Sequence, residues 1–329
     1  MKKVLVTGGA GYIGSHVVAQ LVLRDYQVVV LDNLSTGHRS LLHPEAQFVE
    51  GDIRDEELIR RTFEKFEINS VLHFAALTSV EESLRKPEEY YDNNFSGTLS
   101  LLRACEGSSV KNFIFSSTAA VYGGLSSVLV SEDAAIDPAT PYGKSKSMSE
   151  LALKDCGAAY GLRYGILRYF NVAGASMTNR WGQIGDQHSA LVKRVAMAAV
   201  GKLPELCIFG TDYPTMDGTA VRDYIHVEDL AEIHIQALEK LSGEIPSLLL
   251  NCGYGTGFSV RQVIEMMKQV SGKKFTVREA SRRPGDLASV VANNSKLVAT
   301  LNWRPRRNDL RLICQSAFDW ESRLVSEKS

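Results

Sequence analysis

Residues 4–7, Val-Leu-Val-Thr, read as a short buried strand, and a turn rich in glycine follows at 8–14. Residues 15–22 then carry apolar side chains at helical spacing. The rhythm recurs, with strands predicted at 27–31, 48–53, 70–76, 111–115 and 164–167 and helical patterns between them. Such alternation predicts an α/β fold with a Rossmann-type, doubly wound parallel sheet over residues 1–170, its ligands at the C-terminal strand ends. From Asn171 the pattern changes to short strands (206–209, 248–250), irregular loops and several helices. This predicts a smaller mixed α/β domain over 171–329, with a segment near 222–240 returning to the first domain. No internal repeat or low-complexity linker interrupts the chain, and residues 325–329 are expected to fray.

With 329 residues, 44% hydrophobic and 23% charged, the chain can bury a large core. The formal net charge of −1 gives no electrostatic case for nucleic acid or an acidic membrane surface. The five cysteines are scattered, without metal-type spacing, so no metal site is expected and reduced thiols fit better than a disulfide framework. No apolar run approaches the ~18–20 residues that span a bilayer, and the start is too short for a signal-peptide core. The expectation is a cytoplasmic protein.

The glycines supply the first chemistry. Gly8-x-x-Gly11-x-x-Gly14 between a strand and a helix suits a dinucleotide pyrophosphate: a tight turn, close backbone approach, and a helix N-terminus aimed at the anion. Asp32, at the end of the second strand, can accept from adenosine ribose hydroxyls and would repel a 2′-phosphate, which favours NAD over NADP. Asp52 and Ile53 end the third strand, in an acidic turn placed for the adenine edge, and the fourth strand ends in small residues that admit a cofactor.

Pro141-Tyr142-Gly143-Lys144-Ser145-Lys146 supplies the second. Tyr142 and Lys146 are four apart, on one helix face, with Cβ atoms roughly 5–6 Å apart. An ammonium that close would pull the tyrosine pKa from about 10 towards neutrality and make Tyr142 a general base. Ser116-Ser117-Thr118 would lie after the fifth strand, where a hydroxyl could relay a proton. Such clusters are also ordinary turns and caps, and only position sets Thr118 apart. The aromatic and charged residues at 208–213 and 221–227 suit a polar ligand with a planar base, and the basic stretch at 282–286 suits a diphosphate.

These stretches, together with Arg168-Tyr169-Phe170-Asn171, Asp92-Asn93-Asn94 with Gly97-Thr98-Leu99, and residues 217–227, carry a resemblance over about 4–320. The chain resembles the sugar-nucleotide epimerases of the extended short-chain dehydrogenase/reductase family. The resemblance implies reversible C4 epimerisation of UDP-glucose and UDP-galactose through a 4-keto sugar, with tightly bound NAD. By position it implies that Gly8, Gly11, Tyr12, Ile13, Asp32, Asn33, Asp52, Ile53, Phe74, Ala75, Asn93, Lys146 and Tyr169 or Phe170 line NAD. Thr118, Tyr142 and Lys146 match the catalytic set. Asn171, Leu191, Cys207, Phe209, Arg222, Arg283 and Asp286 match the UDP-sugar site, and Val290 lies beside the sugar. A homodimer joined through helices near 93–106 and 142–160 is also implied.

Three departures bear on the site. Thr78 replaces a lysine near the cofactor. Ala190, after the short stretch Gln187-His188-Ser189, replaces an amide or imidazole near the diphosphate. Val290 replaces the tyrosine of members restricted to non-acetylated sugars, which opens the range to UDP-GlcNAc and UDP-GalNAc. A 4,6-dehydratase would carry Asp-Glu after the threonine, where this chain has Ala119-Ala120, and a non-enzymatic NAD binder would not need the Tyr142–Lys146 pair.

Overall fold

The computed structural model describes residues 2–123, 129–185, 190–243, 245–283 and 285–327. The first elements are β1 (Lys3–Thr7), α1 (Tyr12–Val22), β2 (Gln27–Asp32), β3 (Gln47–Glu50), α2 (Glu56–Phe66) and β4 (Ser70–His73). Next come α3 (Val80–Arg85), α4 (Pro87–Tyr90), a π-helical turn at Tyr91–Ser96, α5 (Gly97–Cys105), β5 (Asn112–Thr118), β6 (Leu129–Val130), α6 (Pro141–Tyr160) and β7 (Arg163–Tyr169). The remainder holds β8 (Asn171–Ala173), α7 (Leu191–Ala199), β9 (Glu205–Phe209), β10 (Val221–His226), α8 (Val227–Gly243), β11 (Ser247–Cys252) and β12 (Gly257–Ser259). It ends with α9 (Val260–Ser271), β13 (Thr276–Ala280), β14 (Ser289–Ala292), α10 (Ser295–Leu301) and α11 (Leu310–Ser326).

Seven strands form the main sheet in the order β11-β7-β5-β4-β1-β2-β3, and the pairings from β3 through to β7 are parallel. This is the expected doubly wound α/β fold. Chain direction across the sheet reverses at β1, which pairs with both β2 and β4. Open sheets bind ligands at that point, beyond the carboxyl ends of the strands. Thr7 and His73 sit opposite each other there, so the glycine turn after β1 and the Phe74–Ala75 stretch after β4 leave the sheet side by side. Leu5, Val29, Leu31, Val71, Phe113, Phe115 and Ile166 fill the core on one face of this sheet.

Strand ends differ from expectation. β3 stops at Glu50 and β4 at His73, which leaves Asp52, Ile53, Phe74 and Ala75 in loops, where side chains and amides can turn to a ligand. β5 runs on to Thr118, because Ser116, Ser117 and Thr118 pair with Leu167, Arg168 and Tyr169 of β7. The stretch 248–250 belongs to the main sheet at its β7 edge, not to the second half. Val325 and Ser326 are helical, held in the last turn of α11.

The chain does not divide at a single point. One compact unit holds Met1–Gly123, Ala135–Tyr169 and Ala231–Leu250, and the other holds Gly124–Ala134, Phe170–Leu230 and Asn251–Ser329. The returning piece thus starts later than 222 and ends later than 240. Within the second unit β6 pairs with β14, and this ties Leu129 and Val130 to it. That unit has a five-stranded sheet, β12-β10-β14-β6 with β8 on β10, and a parallel pair, β9 and β13.

Gly8 is required by its surroundings. It has φ +71°, and a Cβ there would lie 2.6 Å from the backbone nitrogen of Ala75. Gly8→Ala should therefore cost about 1–3 kcal/mol, read as a lower unfolding midpoint. An unchanged midpoint would show that the turn yields freely.

Candidate functional site

In the first unit the turn after β1 is built for close approach. A Cβ at Gly14 would lie 2.2 Å from the Gly8 carbonyl oxygen, whereas at Gly11 the nearest atom is 3.2 Å away. Gly11 is the N-cap of α1, which has no side-chain cap and no acidic residue in its first turn. The positive end of the helix dipole is left for an anion. Tyr12 and Ile13 open that helix.

Asp32 is buried at the end of β2. Its Oδ2 accepts from Ala10 N at 3.0 Å and its Oδ1 from Leu34 N at 2.9 Å. Burial pushes its pKa up, and the two backbone donors, with the charge of His38, pull it back. Each carboxylate oxygen keeps a second lone pair, which suits vicinal ribose hydroxyls. Asn33 donates to Asp52 at 3.0 Å. Arg54 grips Asp52 through both carboxylate oxygens and holds its pKa down to about 2. Ile53 is buried. This set fits a dinucleotide: an open glycine turn, an uncapped helix start and a carboxylate held by backbone.

Phe74 and Tyr169, apart in sequence, meet at one side chain. The Phe74 ring lies 4.8 Å from the His234 ring, and the Tyr169 hydroxyl bonds to His234 Nε2. His234, on α8, had no signature in the sequence. Phe170 falls in the second unit, where its amide donates to Cys252 O at 3.2 Å. Asn93 sits in the π-helical turn and donates to Asn94 Oδ1 at 3.0 Å. Thr78 is exposed.

Helix α6 carries Tyr142 and Lys146. Thr140 caps it, accepting from Gly143 N at 3.2 Å, and Pro141 occupies its first turn. A Cβ at Gly143 would lie 2.5 Å from the Ala120 carbonyl oxygen, so glycine lets the helix start approach the end of β5. There Thr118, near enough to Tyr142 to oppose part of the rise in its pKa, accepts from Ala120 N through Oγ1 at 3.1 Å. The Tyr90 ring packs edge-on against Tyr142, with centroids 6.4 Å apart.

Lys146, 3% exposed, donates from Nζ to Ser116 O at 2.9 Å and lies 4.8 Å over the Phe115 ring. Here the electrostatics correct the expectation. Burial pushes the Tyr142 pKa up, only partly opposed by Thr118. Burial also brings Lys146 down to about 7, opposed by the charge of Glu150. Spacing alone missed the desolvation that both groups undergo.

The second unit assembles its own cluster. Arg222, on β10, donates to Val221 O and Leu287 O at 2.9 and 2.8 Å and lies 3.7 Å from Asp286. Val290, on β14, is its register partner. The Arg283 guanidinium sits 3.9 Å from the Phe209 ring centre, and Arg282 stacks on Tyr213 at 4.2 Å. Cys207 and Phe209 share β9, and Arg278 reaches Cys207 Sγ at 3.4 Å. Asn171 begins β8, opposite Tyr224 of β10. Leu191 is the first residue of α7, and its N-cap, Ala190, makes no side-chain bond. Gln187, His188, Ser189 and Pro284 lie outside the described residues. Asp223, next to Arg222, accepts from the amides of Tyr254, Gly255 and Ala292 and so pins β10 to β14; its signal in the sequence was only its neighbour.

Residues 4–253 match the family model described as the NAD dependent epimerase/dehydratase family. The chain belongs to that family. It is 48% identical over 322 residues to a UDP-glucose 4-epimerase of Azospirillum brasilense, a match covering 98% of this chain and 92% of the relative. Among solved structures it is similar to the UDP-glucose-4-epimerase of Stenotrophomonas maltophila with bound NAD and formylated UDP-arabinopyranose. That match has a TM-score of 0.96, 39% identity and full coverage of both chains. It is also similar to the UDP-Glc/GlcNAc 4-epimerase of Campylobacter jejuni, with 44% identity, a TM-score of 0.87, and coverage of 98% of this chain and 100% of that one. NAD dependence is a family property, and the glycine turn with Asp32 is the matching feature of this chain.

Asp32→Ala would leave the Ala10 and Leu34 amides without their acceptor, a loss of about 1–3 kcal/mol in the turn. The protein should then release well under one nicotinamide dinucleotide per chain on denaturation, against about one for the parent. Equal release would show that Asp32 does not hold the cofactor.

Proposed function

We propose that this chain interconverts UDP-glucose and UDP-galactose by reversible inversion at C4, through a 4-keto sugar. The observation that carries the reading is the placement of Tyr142 at the start of α6, one helical turn from the buried Lys146 and close against the end of β5 that carries Thr118. Tyr142 accepts the O4 proton, directly or through Thr118, and returns it to the inverted sugar. Lys146 as an ammonium stabilises the phenolate, and this help is needed because burial disfavours that anion. The residues that would hold NAD are Gly8, Gly11, Tyr12, Ile13, Asp32, Asn33, Asp52, Ile53, Phe74, Ala75, Asn93, Lys146, Tyr169 and Phe170. Bound there, NAD supplies a two-electron oxidation at C4 and its reversal.

Inversion requires the sugar to turn while the nucleotide stays fixed. The anchors proposed for UDP are Arg222, Arg283 and Asp286 for diphosphate and ribose, and Cys207, Phe209, Asn171 and Leu191 around the rest. Arg222 is rigid because its guanidinium is tied to two carbonyls. The similarity to solved epimerases carrying UDP-sugars supports this reading.

A homodimer is part of the proposal. The helices near 93–106 and 142–160 are the ones expected to join it; Leu151 (57% exposed) and Met148 on α6 are open to solvent, as are Leu84 (61%) and Val80 on α3, which packs against α6. Apolar side chains gathered on two adjacent helices suit a second copy. The compartment proposed is the cytoplasm. Among the described residues no helix is long and apolar enough to cross a membrane.

Tyr142→Phe removes the proton acceptor, and turnover of UDP-galactose should fall by about 10²–10⁴ while UDP binding changes little. Near-normal turnover would rule Tyr142 out as the base.

Val290 sets the proposed range. Valine leaves the volume that a tyrosine ring would fill, enough for an acetamido group at C2, and the similar Campylobacter jejuni protein is named for both sugar types. The chain should turn over UDP-GlcNAc and UDP-GalNAc as well, and Val290→Tyr should suppress that pair alone. Overpacking costs about 1–3 kcal/mol, roughly ten- to a hundredfold in rate. Brisk turnover of UDP-galactose with none of UDP-GalNAc would show the volume to be filled otherwise.

A further inference from the structure

We propose that Glu150 is a positioning residue for the Tyr142–Lys146 pair, its clamped and buried carboxylate holding Lys146 as an ammonium. Tyr142, Lys146 and Glu150 are spaced by four along α6 and so form one stripe, turned towards the ends of β5 and β7. Glu150 is 3% exposed, and a charge so buried needs partners. It has them: Arg168 donates from Nε to Oε1 at 2.9 Å and from Nη2 to Oε2 at 2.6 Å, and Ser117 Oγ donates to Oε1. Ser117 and Arg168 are register partners on β5 and β7, so the sheet fixes both donors. Arg168, 2% exposed, spends its remaining nitrogen on the Tyr122 hydroxyl at 3.0 Å and stacks on that ring.

The result is a carboxylate that cannot turn away and whose negative charge reaches Lys146 through a medium of low dielectric. Of the charged groups around Lys146, this is the one that opposes the effect of burial. The others do not: His73, on β4, is kept neutral by burial, Tyr142 is favoured as the neutral phenol, and Arg168 is itself cationic. Tyr90, on α4, faces Tyr142 and donates to Glu82. Arg168 keeps that carboxylate charged, because a buried carboxylate without its partner takes up a proton. Removing Glu150 should lower the Lys146 pKa, whereas a purely structural role would leave it in place.

This inference rests on the acid–base reading of Tyr142 and Lys146, and its test is read on the lysine itself. The ε-carbon of Lys146 is followed by NMR in lysine-labelled protein carrying NAD, with its resonance assigned by its absence in Lys146→Met. In Glu150→Gln the titration midpoint should fall by about one pH unit or more. The alkaline limb of kcat should move with the midpoint, and KM for UDP-galactose should stay within about threefold, because the nucleotide anchors are untouched. Glu150→Asp, which keeps the charge but withdraws it by one methylene, should restore most of the shift. An unmoved midpoint in Glu150→Gln, or a midpoint in Glu150→Asp no nearer the parent than that of Glu150→Gln, would overturn the proposal. Should Glu150→Gln not fold, Glu150→Met takes its place, and the absence of a fall overturns the proposal. Normal turnover in Tyr142→Phe would instead sink the reading of the base while leaving the lysine titration standing.

Discussion

The structure turns on an ammonium held where water does not reach. Taking Lys146 out of solvent disfavours its charge, and the proposed chemistry needs that charge. The fold answers with groups that suit a cation: the Ser116 carbonyl, the face of Phe115 and the carboxylate of Glu150. All three depend on α6 lying tight against β5. That closeness depends in turn on Gly143, which has no side chain to strike Ala120. β5 runs far enough to carry Phe115, Ser116, Ser117 and Thr118 on one continuous strand, so lysine, phenol and hydroxyl are referred to a single rigid element.

The second unit works by a different rule. Its cationic side chains are braced before any ligand arrives, with Arg283 and Arg282 on aromatic faces and Arg222 on two backbone carbonyls. Braced guanidinium groups lose little freedom on binding a diphosphate. Asp223 extends the same bracing into the sheet. Burial pushes its pKa up to about 6, in spite of three amides directed at it. An acid raised in this way favours the folded state most where it is protonated, so its contribution weakens as pH rises from the usual carboxylate range through about 6.

Local pattern carried much of this. The alternation of strands and helices gave the doubly wound sheet, and the four-residue spacing placed Tyr142 and Lys146 on one helix face. What local pattern could not show is what tertiary pairing and burial decide. β5 extends through Thr118 because β7 lies beside it, and residues 248–250 look like any short strand until the main sheet takes them up. The direction of the Tyr142 shift went unread because spacing reports distance and not desolvation. Glu150 lay in plain view four residues after Lys146, but nothing in the sequence said that Arg168 and Ser117 would meet it from two strands.

The central claim is that the hydrogen taken from C4 goes back to the same sugar inside a closed cycle. UDP-galactose incubated with the purified protein in D₂O, with no nicotinamide nucleotide added, tests this directly. The account predicts UDP-glucose whose C4 hydrogen is retained, with no deuterium at that carbon by NMR. Deuterium at C4, or a strict need for added nucleotide in stoichiometric amount, would contradict it.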